Sequence, residues 1–420
     1  MNDLDVPDRA VLSERGRRLV VAPQTPAYLA EDLRRSPSPY DPSARPDGYI
    51  PMCIAENGLV WDLLRPKMAA CRDVPERVLR YDSMIGALEF RTQLAHFMAR
   101  TFLGRPVAAQ HVAVLAGAGA VLEILFYALA DRGEGVLVPT PSYAGFWSDL
   151  QTRDELTIVP VHCVAEEGFR LTTSRLDRAV EGAGRPIRAL LFTSPNNPLG
   201  TVYTAAEIEE VLRWAEAAKI HVIFDEVYAL SVFRKRRFTS CAALRPNLGD
   251  SVHIVWAFSK DFAASGLRCG VLVSENEAVI AAVDALSYWA CCSGDTQFLL
   301  GQMISDDAWV DGYIAETRAR LGNAYRSVTE AMEEEKIPYL PADAGFFFLC
   351  DLRRFMREQT WEAEDALWHR VLDGTNVNLT PGSSCRVGQP GFMRLCYANL
   401  PPETAAVGVH RLGALLRSLG

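Results

Sequence analysis

The chain reads as an α/β protein, a three-layer sandwich built on a mainly parallel sheet, with a smaller α+β domain attached. Three observations predict this. Short β-branched runs alternate with amphipathic segments through the middle of the sequence. The last third changes to one long helical segment followed by isolated strands. The length, 420 residues, exceeds what a single core of about 250–300 residues serves.

Prolines recur from Pro23 to Pro51, so the first 55 or so residues are expected to form an extended arm belonging to the smaller domain. Strands are predicted at Gly135–Pro139 (GVLVP), Ala189–Thr193 (ALLFT), His221–Phe224 (HVIF), Ser251–Phe258 (SVHIVWAF) and Gly270–Val273 (GVLV). Between them, Ala205–Lys219 carries Ile208, Val211, Leu212 and Ala215 at helical spacing, the pattern of a crossover helix lying on a sheet. Trp309–Lys336 reads as one long helix, GFFFLCDL and MRLCYANL as strands, and a terminal helix starts near Glu403. The expected division is 56–310 for the large domain and 1–55 with 311–420 for the small one.

Composition narrows the function. With 49% hydrophobic and 23% charged residues the chain is ordinary for a soluble globular protein. Lys and Arg total 43 against 52 Asp and Glu, a net charge of -9, which argues against nucleic acid or an anionic membrane and suits a small, cationic substrate. No apolar run approaches the roughly 20 residues of a membrane span, and the start does not read as a secretory leader. The ten cysteines show no CxxC pair and no metal-ligand spacing, so they are expected as reduced core residues of a cytoplasmic protein without a metal site.

The chain holds five lysines. Lys67, Lys219, Lys235 and Lys336 stand in settings that predict solvated faces. Lys260 follows an apolar strand in HIVWAFSKDFAASG and precedes a small-residue loop, which brings an amine to the carboxyl edge of a parallel sheet, where α/β proteins bind ligands. A desolvated lysine there is a Schiff-base candidate. FDEVYAL adds Asp225 and Tyr228 at a strand end, SPNNPLG adds Asn197 after another, and AGAGAVLE opens a helix whose free N–H groups suit a phosphate. Each motif alone is more often a cap or a turn; their order and common placement make the signal.

These residues resemble the fold-type I pyridoxal-phosphate enzymes, the aspartate aminotransferase superfamily. The resemblance implies that Lys260 binds pyridoxal 5'-phosphate covalently, that Asp225 faces the pyridine nitrogen, and that Asn197 and Tyr228 donate to the phenolic oxygen. It implies phosphate contacts from Ser259, Arg268 and the N–H groups of Ala118 and Gly119, a ring stacked on Tyr143, and the substrate α-carboxylate on Arg394. Tyr81 in YDSMIGALEFR resembles the tyrosine that reaches the neighbouring subunit's phosphate, which implies a homodimer.

Within the superfamily the sequence is similar to 1-aminocyclopropane-1-carboxylate synthases from about Asp47 to Leu412. DGYIPMCIAENGLVWDLL, GALEFRTQLAHFM, TPSYAGFWSDL, SPNNPLGTVY, DTQFLLGQMISDDAWVDGYI, LTPGSSC and GFMRLCYANL carry the likeness. In that family the glutamate of the IAEN segment, here Glu56 beside Ala55, faces the sulfonium of S-adenosylmethionine. The implied chemistry is loss of the Cα proton and departure of methylthioadenosine from Cγ. The product is then either the cyclopropane or a γ-substituted or annulated amino acid formed with a second substrate, such as a nicotinamide-type ring, in specialised metabolism. An amino-acid aminotransferase is the alternative, and it would need an amino acceptor. Three positions depart from the family pattern: Met84 replaces a tyrosine, Ala257 a serine, and Gly119 a hydroxyl residue.

Overall fold

The computed structural model describes residues 11–21, 25–234 and 236–419. Lys235 and Pro23 lie outside them. A short strand β1 (Ile50–Pro51) precedes a central sheet of seven: β2 (Val112–Leu115), β3 (Gly135–Thr140), β4 (Thr157–His162), β5 (Ile187–Thr193), β6 (His221–Asp225), β7 (Val252–Ala257) and β8 (Gly270–Ser274). Their spatial order is β2-β8-β7-β6-β5-β3-β4. The pairs β4–β3, β3–β5, β5–β6 and β6–β7 are parallel, while β8 runs antiparallel to both β7 and β2. The mainly parallel sheet is therefore present, with β2 and β4 as strands that the sequence reading did not name. Both are edges, and β4 contains Pro160, whose missing N–H is tolerated there.

Helix Ala205–Ala218 shows why the crossovers form where they do. Thr204 caps it: its Oγ1 accepts from Glu207 N at 3.3 Å while Glu207 Oε2 accepts from Thr204 N at 2.8 Å. Ile208, Val211, Leu212 and Ala215 face the sheet, and Lys219 ends the helix in the left-handed region.

The helix Asp307–Glu334 spans 28 residues and packs into two cores. Val310 and Tyr313 join the cluster that holds β6 and β7, whereas Leu321 to Met332 pack with the strands β9 (Phe347–Asp351) and β12 (Phe392–Cys396) and the helix Pro402–Arg417. Two short strands, β10 (Val377–Asn378) and β11 (Thr380–Pro381), complete this part: β11, β12 and β9 form an antiparallel sheet, and β10 pairs with β1. Tyr28, Tyr49, Ile50, Met52 and Cys53 of the arm are buried in the same cluster.

The arm differs from the extended expectation, since Glu14–Val21 and Ala27–Arg35 are helical. The prolines flank the second helix rather than interrupt it: Pro26 sits at its N-cap and Pro37 lies beyond its end. Arg35 pins it by donating to Asn376 Oδ1 at 2.8 Å. Lys67 is also not on a solvated face: its amine meets Asp306 at 2.6 Å and lies over the Trp309 ring. All ten cysteines are free and eight are buried. No described helix is long and apolar enough to cross a membrane.

Candidate active site

The strand register brings the site together. Thr193 pairs with Asp225 and Asp225 with Val255, so the carboxyl ends of β5, β6 and β7 lie side by side. Asp225 ends β6, and its Oδ1 accepts from Val227 N at 3.3 Å. Burial pushes its carboxyl up to about 7; the Asp149 charge adds to this, and Val227 N–H and Lys260 oppose it. Tyr228, one turn on, is held edge-on between Phe346 and Phe347, each 5.3 Å away. Its hydroxyl is buried without a partner among the described residues.

Lys260 stands in the single turn Phe258–Asp261 that follows β7. Burial pulls its amine down to about 8, against the opposing pull of Glu56, and Nζ donates to the Ala55 carbonyl at 2.8 Å. The next residue anchors this turn: Asp261 Oδ2 accepts from Trp256 Nε1 at 2.9 Å and from Leu230 N at 3.1 Å. That carboxylate ties the lysine turn to the loop carrying Tyr228.

Arg394 reaches the same place from β12 and is 2% exposed. It donates to Asn197 Oδ1 at 3.0 Å, to the Cys53 carbonyl at 2.9 Å and to Thr380 Oγ1 at 3.1 Å, and its Nε is buried with no partner among the described residues. Tyr143 is 40% exposed, edge-on to Phe146. It borders a cavity of about 1020 Å³ that Tyr28, Trp147, Asp149, Ser384 and Arg386 also line.

A second group of residues lies at the start of helix Ala118–Leu129. Gly117, at φ +97°, turns the chain into the helix beneath the Arg268 guanidinium, which a Cβ at 117 would strike. Arg268 donates to Ser265 O at 3.0 Å. The Ser259 carbonyl accepts from the Ser265 hydroxyl at 3.0 Å. Beside Gly119 the space for a side chain is open: Asp149 Oδ1, 3.9 Å from the place of a Cβ, is the near atom. Glu56 is exposed next to Ala55, and Tyr81 stands apart from the cleft at 95% exposure.

The donor set suits pyridoxal phosphate. A buried amine, a carboxyl at a sheet end, an unpartnered phenol and a helix N-terminus under an arginine match an aldehyde, a pyridine nitrogen, a phenolic oxygen and a phosphate.

The comparisons agree. The family described as Aminotransferase class I and II matches residues 67–412. The chain belongs to that family. It is 35% identical over 396 residues to 1-aminocyclopropane-1-carboxylate synthase 8 of Arabidopsis thaliana, covering 89% of this chain and 84% of the relative. It is 36% identical over 417 residues to 1-aminocyclopropane-1-carboxylate synthase 3 of Oryza sativa subsp. japonica, covering 93% and 92%. Aspartate aminotransferase from Thermus thermophilus with maleate superposes with a TM-score of 0.79 at 21% identity, over 96% of this chain and 99% of that one, which shows the fold. The protein is a pyridoxal-phosphate enzyme of the aminotransferase class, related to the 1-aminocyclopropane-1-carboxylate synthases.

Family membership leaves several contacts of this class I and II aminotransferase relative unread in its sequence. The carbonyls of Ala55 and Cys53 act through the backbone, which no residue type reports. Thr380 lies inside the quoted LTPGSSC segment, and Phe346 and Phe347 looked like core. Asp149 had a signal in TPSYAGFWSDL, an acid in a short apolar stretch.

Proposed function

We propose that this enzyme takes S-adenosylmethionine as substrate, removes its Cα proton and breaks its Cγ–S bond, releasing methylthioadenosine. The observation that carries the reading is the Lys260–Ala55 contact at 2.8 Å, which sets the exposed Glu56 beside the amine. A carboxylate there meets a cationic substrate, and the net charge of -9 favours the same partner. The likeness to the synthases over most of the chain supports it.

Each group then has a task. Arg394 receives the α-carboxylate bidentately, its buried Nε being available for it. Pyridoxal phosphate, when bound, supplies the electron sink that makes the Cα proton acidic. Lys260, neutral above about pH 8, takes that proton at Nζ. Glu56 selects the sulfonium over a neutral thioether; because the sulfur loses its charge as the bond breaks, this contact aids binding more than the bond-breaking step.

Attack of Cα on Cγ gives 1-aminocyclopropane-1-carboxylate, whereas prior loss of a Cβ proton opens γ-substitution or annulation onto a second substrate such as an electron-poor ring. Both share the first proton loss and the release of methylthioadenosine. The enzyme works as a homodimer: Tyr81, Leu79, Tyr288 and Trp289 are 64–95% exposed in the single chain, as an interface leaves them. Adding S-adenosylmethionine to the protein with pyridoxal phosphate and analysing products by mass spectrometry tests the reading. Methylthioadenosine is expected; formation of a 2-oxo acid from the substrate with no methylthioadenosine would replace the reading with transamination.

A further inference from the structure

Asp149 has no part in the steps above. Its short helix Phe146–Gln151 packs against helix Ala118–Leu129, and its side chain lines the cavity beside Tyr143. Its Oδ1 faces the space that a side chain at Gly119 would enter, 3.9 Å from the Cβ position. No described residue hydrogen-bonds this carboxyl. Gly119 brings no side chain of its own, so the open space and the unengaged acid coincide.

A phosphate held by the N–H groups of Ala118 and Gly119 would share the open space beside Gly119 with this carboxyl. Two anions there repel, while a neutral carboxyl donates a hydrogen bond. We propose that Asp149 stays protonated in the holoenzyme and donates its carboxyl O–H to the cofactor phosphate, in place of the hydroxyl that position 119 lacks.

The surroundings favour the neutral form. Burial alone already pushes Asp149 up to about 6. Asp225 at the end of β6 and Tyr143 on the adjoining loop are each pushed up by an Asp149 charge, so the three acids disfavour one another's ionised forms. Of the cations around it, Arg268 bonds the Ser265 and Ala116 carbonyls, Arg153 pairs with Glu123 of the facing helix, Arg386 lies over the Trp147 ring, and Arg18, which lines the same cavity with the exposed Arg15, pairs with Glu155. His162 on β4 is bonded to Thr140 Oγ1 at 2.9 Å. The phosphate, once bound, raises Asp149 further by like-charge repulsion.

The dissociation constant of pyridoxal phosphate, followed by the absorbance of the bound cofactor from about pH 6.5 to about pH 10, tests this in wild type, Asp149→Asn and Asp149→Ala. Ratios between proteins cancel the titrations of the cofactor and of Lys260, which all three share. The asparagine variant keeps a donor at every pH, so it should match wild type within about twofold at the acid end and bind about tenfold tighter at the alkaline end. The alanine variant should bind about tenfold more weakly than wild type at the acid end. Pyridoxal, which lacks the phosphate, should bind all three alike. Wild-type and asparagine curves that run parallel across the range, or equal differences with pyridoxal, would overturn the assignment.

Discussion

The two ends of the cleft are built differently. The ring end is made of buried side chains: Asp225 ends β6, Asn197 and Tyr228 lie on the loops just after β5 and β6, and Arg394 sits in the middle of β12, with Lys260 on the first turn after β7. The phosphate end is sparse. Ala257 and Gly119 bring no hydroxyl, Arg268 is exposed, Ser259 is half-buried and Tyr81 is exposed on the single chain. The contrast teaches that burial is concentrated at the ring end, while the phosphate end exposes its arginine and brings few side chains to the site. On the proposed reading, groups that must hold a geometry are packed against the sheet, while the phosphate is held by backbone N–H groups, one arginine and the Asp149 carboxyl.

Substitutions that break this contrast should rank accordingly. Lys260→Ala should abolish the absorbance of covalently bound cofactor and lower turnover by about 10²–10⁴-fold, read by spectrum and steady-state rate. Asp225→Asn, which removes a charge from the ring end, should cost about 10–100-fold in turnover while leaving the chain folded. Arg394→Lys keeps the charge but loses the fork, so KM should rise about tenfold with a smaller change in kcat. Glu56→Gln removes the anion that opposes depression of the Lys260 amine, so the pH midpoint for reaction of apoenzyme with pyridoxal phosphate should fall below the value near 8 expected for wild type. The smallest effect is expected at the sparse end: Gly119→Thr fits the open space and should tighten cofactor binding by less than about tenfold, measured by equilibrium dialysis.

The same division governs what the sequence reveals. The ring end is legible where Asn197, Asp225, Tyr228 and Lys260 follow strands of a parallel sheet, whose termini converge, whereas Arg394 lies inside β12 of the antiparallel sheet and is named through the family resemblance alone. Lys260 stood out from four other lysines by that context alone. The arm was misread because prolines were counted without noting that they flank AYLAEDLRR. β2 escapes because it has only four residues, and β4 because Pro160 sits inside it. The partners of Lys260 and Arg394 were illegible for a different reason: Ala55 and Cys53 contribute carbonyls, and every residue has one. Asp149 needed the structure, since only the approach of two helices shows it facing the glycine.

The central claim is that this cleft selects a sulfonium. Spectral titration of the holoenzyme with S-adenosylmethionine and with S-adenosylhomocysteine, whose sulfur is neutral, in wild type and in Glu56→Gln, tests it most directly. Wild type is expected to prefer the sulfonium by about tenfold, and the variant to lose most of that preference. Equal affinities in wild type, or a preference untouched by the substitution, would contradict it.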